Sequence, residues 1–138
     1  MRATILVFSF LVFMTLENMA QQASLTIINK SDRQMTTKIM KGTEKKFSLF
    51  DSVFISPKGQ RIIYFNGPGR YFTKTKAILV DKDSTQNDTL YSKSNPIQVI
   101  ADSKRGYSNI TLKFTVKESK KPVADGVISI TRKEYMEN

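Results

Sequence analysis

The stretch that decides the fold spans residues 52–80 and reads SVFISPKGQRIIYFNGPGRYFTKTKAILV. Two clusters of turn-forming residues interrupt it, at residues 57–59 and 66–69. Proline fixes φ near about −65° and glycine accepts positive φ, so both clusters predict chain reversals. The residues between the clusters are mostly β-branched or aromatic, which suits a pleated, half-buried strand. The stretch therefore predicts three strands, at residues 53–55, 62–65 and 71–80, arranged as a meander.

Apolar and polar residues also alternate with the two-residue period of a strand outside this stretch. The clearest case is residues 108–117, where Ile110, Leu112 and Phe114 fall on one face and polar residues on the other. Further strands are predicted at residues 25–29, 34–41, 97–100 and 127–130, with shorter extended pieces at 47–50 and 89–91. The first two of these strands are expected to pair as a hairpin.

The pattern of about seven to nine short strands, without an amphipathic helix, is typical of an all-β fold. We expect one domain, residues 21–138, folded as an antiparallel β-sandwich of immunoglobulin-like or related type. Within it Lys74 and Lys76 are predicted to face solvent or to lie at a sheet edge, where lysines discourage strand addition. Residues 131–138 are predicted to form an irregular tail.

The opening of this domain, from Leu25 to Lys41, consists of a strand, an Asn-x-Ser turn and a second strand of alternating polarity. It resembles the start of some secreted β-sandwich lectins and pore-forming proteins. No diagnostic motif accompanies the resemblance, and no function is carried over from it.

The beginning of the chain predicts export. Arg2 precedes an apolar run from Ile5 to Leu16, which is shorter than the roughly 18 residues that a membrane-spanning helix needs. We expect a secretory signal peptide at residues 1–20, cut after Ala20, with a cut after Ala23 as the alternative. No transmembrane segment is expected after its removal. The protein is therefore expected in the periplasm, on the outer surface or outside the cell.

Composition restricts the chemistry of the chain, which has no cysteine and no histidine. Thiol nucleophiles, Ser-His-Asp triads and ordinary zinc sites are therefore excluded. An exported chain without cysteine is more typical of a bacterial envelope or secreted protein than of a small animal domain, which uses disulfides. The formal net charge of +10 favours anionic partners. Nucleic acid is not expected, because no nucleic-acid motif accompanies the charge and export separates the chain from it.

Carboxylates leave one enzymatic alternative, a glycoside hydrolase, because two acids at a suitable distance can cleave a glycosidic bond. The aspartates lie in turns and charged loops rather than in the apolar surroundings that catalytic acids need. The candidates are Asp32, Asp51, Asp81, Asp83, Asp88 and Asp102. We therefore expect a protein that is not an enzyme and that uses no cofactor.

Two weaker patterns concern metal binding and glycosylation. Asp81, Asp83 and Asn87 place oxygen atoms at alternating positions, as a calcium loop does. The bend glycine and the closing glutamate of such a loop are missing, which favours a solvated loop without a metal. Three N-glycosylation sequons, relevant only in a eukaryotic host, begin at Asn29, Asn87 and Asn109.

The loops carry the candidate binding residues, because immunoglobulin-like sandwiches bind mainly through loops on a rigid scaffold. A tyrosine at a loop rim can stack on a sugar while neighbouring cations hold acidic groups. The candidates are Arg70, Tyr71, Lys104, Arg105 and Tyr107. The alternative interpretation is that one aromatic residue of each adjacent pair fills the core and the other covers its rim.

These features together predict an exported, non-catalytic binding module of the cell envelope or secreted fraction. Its partner is expected to be an anionic or neutral glycan, or an envelope protein, bound through loops at one end of the sandwich. Besides the glycoside hydrolase, a membrane-interacting or pore-forming β protein is the remaining alternative.

Overall fold

A computed structural model gives the fold and describes residues 22–79, 88–115 and 127–138. The predicted signal peptide and the candidate calcium ligands Asp81, Asp83 and Asn87 lie outside the described residues. Within these ranges the chain forms eleven strands and one short helix. The strands are β1 (Ser24–Asn29), β2 (Gln34–Gly42), β3 (Phe47–Ile55), β4 (Gln60–Tyr64), β5 (Gly69–Leu79), β6 (Asp88–Ser94), β7 (Ile97–Val99), β8 (Ala101–Asp102), β9 (Gly106–Tyr107), β10 (Asn109–Phe114) and β11 (Val127–Ser129), and the helix is α1 (Arg132–Met136).

The strands form two packed sheets and a small hairpin. The smaller sheet has the order β10-β1-β4, the larger one β11-β6-β5-β2-β3 with β7 also on β5, and β8 pairs with β9. Strands pair antiparallel except β1 and β10, which run parallel. Leu25 and Ile27 of the smaller sheet share one buried core with Met35, Ile39 and Tyr71 of the larger sheet. The predicted all-β sandwich is confirmed, with eleven strands where about seven to nine were expected.

The central stretch forms the predicted strands, but the predicted meander is wrong. β3 and β5 belong to the larger sheet, whereas β4 between them pairs with β1 in the smaller sheet. The predicted hairpin of the first two strands is also wrong, because β1 and β2 lie in different sheets. Alternation specifies which face of a strand is buried. In a sandwich the inner faces of both sheets meet at one core, so alternation does not specify the sheet to which a strand belongs.

The turn between β3 and β4 uses a different residue from the one that the sequence suggested. Gly59 does not have a positive φ, and the residue that does is Lys58, at 61°. The Lys58 backbone N–H donates to the Ser31 carbonyl at 3.2 Å, and its ammonium donates to the Lys30 carbonyl at 2.8 Å. These bonds to the connection after β1 hold a non-glycine residue in the left-handed region.

A buried asparagine joins the end of β1 to the turn after β3. Asn29 is fully buried, and its Nδ2 donates to the carbonyls of Arg33 at 2.7 Å and Ser56 at 3.1 Å. Its Oδ1 accepts from the N–H and the hydroxyl of Ser31, at 3.0 and 2.6 Å. A glycan on Asn29 is therefore incompatible with this fold. The sequon asparagine Asn109 is exposed.

Two predictions about polar segments are wrong. Lys74 is only 1% exposed, because it lies on β5 in the interior of the larger sheet between β2 and β6. Residues 131–138, predicted as an irregular tail, contain α1 instead. The Thr131 hydroxyl accepts from the Glu134 N–H at 3.2 Å as the N-cap, and Tyr135 is buried. The helix covers the outer face of the sheet at Lys74, and local sequence patterns do not reveal a contact between segments so far apart.

We expect Asn29→Ala to lower the free energy of unfolding by about 2 to 4 kcal/mol, because each buried polar group left without a partner costs about 1 to 3 kcal/mol. The matched control is Asn109→Ala, which removes one exposed hydrogen bond from the Ser24 hydroxyl and is expected to cost less than about 0.5 kcal/mol. Urea denaturation of both variants measures the difference. Equal losses would contradict the role given to Asn29.

Candidate binding site

The predicted binding loops lie at the same end of the sandwich. Ser24, which begins β1, is the register partner both of Tyr64 at the end of β4 and of Asn109 at the start of β10. The chain leaves β4 for the start of β5 at this end, and Gly69 there pairs with Val99 at the end of β7. We call this surface the loop end and define it as residues 64–70 and 101–107. It contains four of the five residues that the sequence suggested, Arg70, Lys104, Arg105 and Tyr107, and Tyr71 follows it directly on β5.

The hairpin of the loop end is held by one aspartate. Asp102 Oδ1 accepts from the backbone N–H groups of Arg105 at 2.6 Å and Lys104 at 3.0 Å. Its Oδ2 accepts from Arg105 Nε at 2.7 Å. The backbone bond from Arg105 and then its side-chain bond hold the pKa of the Asp102 carboxyl below its ordinary value. The Arg105 guanidinium is therefore paired with Asp102.

Two other cations of the loop end have no side-chain partner in the described part of the chain. Arg70 and Lys104 are exposed, and neither side chain forms a hydrogen bond or an ion pair with any described residue. Tyr107, on β9, is half-buried. Tyr64, which the sequence analysis did not select, is 55% exposed at the end of β4.

The selection of Tyr71 as a rim residue is wrong. It is only 2% exposed, and its ring lies 4.5 Å from that of Phe65 and 5.3 Å from that of Phe50 in the core. Burial raises the pKa of its hydroxyl. The two-residue period of a strand could have predicted both orientations. Tyr71 is in phase with the inward-facing residues of β5. Tyr64 lies between the buried Ile63 and Phe65, so its side chain must point outward.

Sequence reasoning missed a second cluster, on the outer face of the larger sheet. Lys38 on β2, Lys74 on β5 and Lys93 on β6 are register partners across three neighbouring strands. Residues opposite each other in a ladder point to the same face, so the three ammonium groups lie side by side. We call them the lysine row. Only the strand register brings them together, which explains why no sequence pattern revealed them.

α1 lies over this row, and Lys74 holds the end of the helix. Lys74 Nζ donates to the carbonyls of Glu134 and Glu137, both at 2.7 Å, and lies 4.4 Å from the centre of the Phe47 ring. A cation is favourable there, because the last carbonyls of a helix lack partners within it. Burial lowers the pKa of the Lys74 ammonium.

The other two lysines of the row also bind this segment. Lys38 Nζ donates to the Tyr135 carbonyl at 3.1 Å and to Asn138 Oδ1 at 2.8 Å, and lies 4.5 Å from the centre of the Tyr135 ring. Burial, and then the charge of Lys76, lower the pKa of Lys38. Lys93 Nζ donates to Glu134 Oε1 at 2.7 Å, and this bond raises the pKa of Lys93. All three ammonium groups thus have oxygen partners on residues 134–138.

A small pocket opens beside the lysine row. Its lining combines two lysines with three acidic and two aromatic residues, Lys74, Lys93, Glu44, Glu134, Glu137, Phe47 and Phe72. Lys93 forms ion pairs with two of these acids, Glu134 and, at 3.6 Å, Glu44. Across residues 22–79, 88–115 and 127–138 no three acidic side chains converge to hold a metal ion.

The titration of Asp102 tests the hairpin. Because hydrogen bonds favour its ionised form, we expect an NMR midpoint below the ordinary value of 3.8, and the stability that these bonds supply should be lost as pH falls through that midpoint. Arg105→Gln should move the midpoint upward, because it removes the Nε bond. Lys104→Gln keeps the backbone donor and serves as the control. Equal midpoints in both variants would show that the Arg105 side chain does not hold Asp102.

Comparison with models of known protein families gives no match, and comparison with curated proteins finds no significant similarity.

Proposed function

We propose that the chain is an exported, non-catalytic binding module that takes an acidic glycan at the loop end. One observation carries the proposal: an exposed tyrosine, Tyr64, lies at the same end as two exposed cations, Arg70 and Lys104, that have no side-chain partner among the described residues. A sugar ring can lie on the tyrosine face while its carboxylate or sulfate groups meet the cations. Specificity for acidic over neutral glycans then comes from the charges.

The rigidity of the loop end supports binding by preformed loops. The Ser108 N–H donates to the Ile100 carbonyl at 2.8 Å, and the Ser108 hydroxyl accepts from the Ile100 N–H at 2.8 Å. Together with the bonds to Asp102, they order the hairpin without a ligand. Ordering loops before binding lowers the entropic cost of association.

The positions of two described aspartates remove one candidate carboxylate pair for glycoside hydrolysis. Asp102 lies at the loop end, whereas Asp32 follows the other end of β1 and pairs with Lys58 at 3.5 Å. β1 separates them by roughly 17 Å at about 3.3 Å per residue. The two carboxylates of a glycosidase lie only about 5 to 9.5 Å apart.

A protein partner is the second candidate, and strand β3 favours it. β3 ends the strand order of the larger sheet within the described ranges, and its Leu49 and Phe54 are 45% and 52% exposed. An edge strand presents backbone groups to which a partner strand can add. Arg61 Nε donates to the Phe54 carbonyl at 3.2 Å and covers part of this edge.

Export remains part of the proposal, and the buried start of the domain favours one of the two cleavage positions. Ala23 is fully buried, and its carbonyl accepts from the Phe65 N–H at 3.0 Å. A cut after Ala23 would remove this core residue, whereas a cut after Ala20 keeps it. No helix in the described part of the chain is long and apolar enough to span a membrane.

We expect the mature protein recovered from its native host to begin at Gln21. Edman sequencing or intact-mass measurement checks this, with fractionation to show the compartment. A mature chain that begins at Ser24 would contradict the argument from Ala23. A cytoplasmic chain that begins at Met1 would contradict export itself.

A glycan array with acidic and neutral oligosaccharides tests the loop end. We expect binding to acidic members that weakens as salt rises. Tyr64→Ala should weaken it about tenfold, because loss of about 1.4 kcal/mol of stacking is a factor of ten in affinity. The double variant Arg70→Gln and Lys104→Gln should flatten the salt dependence.

The control is Lys113→Gln, which removes one exposed positive charge at the end of β10 away from the loop end. If Lys113→Gln weakened glycan binding as much as the double variant Arg70→Gln and Lys104→Gln, only the net charge of the protein would matter for binding. The second candidate would be favoured if no glycan on the array bound the protein and if a protein partner were captured by the native chain but not by the Phe54→Asp variant.

A further inference from the structure

The helical segment, residues 131–138, occupies the lysine row with groups of the kind that an anionic ligand would present. Its acceptors are a carboxylate oxygen of Glu134 and the carbonyls at the end of α1, which carry partial negative charge. Neighbouring strands lie about 4.8 Å apart, so the three ammonium groups form a line across the sheet. The row is thus arranged to receive several oxygen groups in sequence.

The helical segment can leave without disrupting the core. α1 has five residues, too few for a helix to be stable alone, so its order depends on contact with the sheet. Its one buried side chain is Tyr135, which does not belong to the core cluster between the two sheets. The segment is therefore held by Tyr135 and by the lysines of the row.

The lysines of the row are a costly way to hold a helix on a sheet. Like charges directly opposite each other on neighbouring strands are destabilising, and Lys38, Lys74 and Lys93 are such a set. Apolar residues of similar volume would hold α1 without desolvating charges. Binding of an anionic ligand by these lysines, when the helical segment is displaced, would explain why the chain keeps three costly charges at this place.

The surface beneath the segment also offers an aromatic face. The Tyr91 ring on β6 lies 5.3 Å from the Tyr135 ring, and Lys76 Nζ lies 5.9 Å from the centre of the Tyr135 ring. Departure of Tyr135 would expose the Tyr91 ring beside the lysine row. A sugar ring can then take the place of Tyr135 while its acidic groups replace the oxygen atoms of α1.

We propose that the lysine row is a second binding site, for the carboxylate or sulfate groups of an acidic polysaccharide, and that the helical segment covers this site until the polyanion displaces it. A linear polyanion matches the row, because it supplies acidic groups in line. The site is separate from the loop end, so either proposal can fail without the other.

Amide hydrogen exchange of the full chain, with heparin as the polyanion, tests the displacement. The Tyr135 N–H donates to the Thr131 carbonyl and the Glu137 N–H to the Glu134 carbonyl. We expect saturating heparin to raise exchange at both amides at least about tenfold, because their acceptors separate when α1 unfolds. Unchanged exchange at both amides would overturn the proposal.

Substitutions in the full chain test the site itself. Tyr135→Ser should release the helical segment and strengthen heparin binding about tenfold, whereas Met136→Ser, which changes an exposed residue of the same helix, should not. Adding Lys38→Gln to Tyr135→Ser should remove the gain, and adding Lys113→Gln, which changes an exposed lysine at the end of β10, should leave it. A gain that survives Lys38→Gln, or no gain at all in a Tyr135→Ser variant whose β2–β5 amides stay protected from hydrogen exchange, would overturn the proposal.

Discussion

The fold depends on one core that both sheets share, and this constraint explains the path of the chain. Each sheet buries one face, so strands consecutive in sequence can satisfy their apolar side chains from either side of the core. The chain uses this freedom by crossing from β1 to β2, from β3 to β4 and from β4 to β5. The β1–β2 and β3–β4 connections lie at one end of the sandwich, and the β4–β5 connection lies at the other end. The Asn29 hydrogen bonds order one end, and the Asp102 bonds order the loop end.

The positive charge of the chain is used in two different ways. At the loop end, Arg70 and Lys104 are exposed and have no partner among the described residues. On the outer face of the larger sheet, Lys74 is almost fully buried and satisfied by carbonyl oxygens of α1. Net charge alone does not distinguish these situations. The two situations differ because α1 covers Lys74, whereas Arg70 and Lys104 are exposed to solvent.

The sequence predicts the strands and their faces well, because alternation in β10 and the turn residues around β4 are local properties. It does not predict the sheet to which each strand belongs, since β4 is equally amphipathic in either sheet. Lys74 shows a further limit: on an antiparallel strand a lysine normally faces water, yet here a helix encoded about sixty residues later covers it. α1 itself has too few residues for a helical period to be visible.

The candidate binding residues likewise include some that the sequence predicts and some that it does not. The sequence places Arg70, Lys104, Arg105 and Tyr107 at the loop end because turn residues mark where loops begin. It could have preferred Tyr64 to Tyr71 from the phase of the neighbouring residues. The sequence could not predict the lysine row, because the register of three strands brings these lysines together.

The parallel pairing of β1 with β10 has a consequence for how the chain folds. β1 is the middle strand of the smaller sheet, and one of its neighbours, β10, pairs Ser24 with Asn109, 85 residues further along. Contacts between such distant residues require closure of a long loop before they stabilise anything, which slows folding. A chain that emerges from a ribosome or a translocon with its N-terminus first holds β1 without this partner until residue 114 has followed. Until then β1 lacks one of its two sheet neighbours, an unpaired edge of the kind that favours aggregation, and the smaller sheet is complete only when synthesis or translocation is nearly finished.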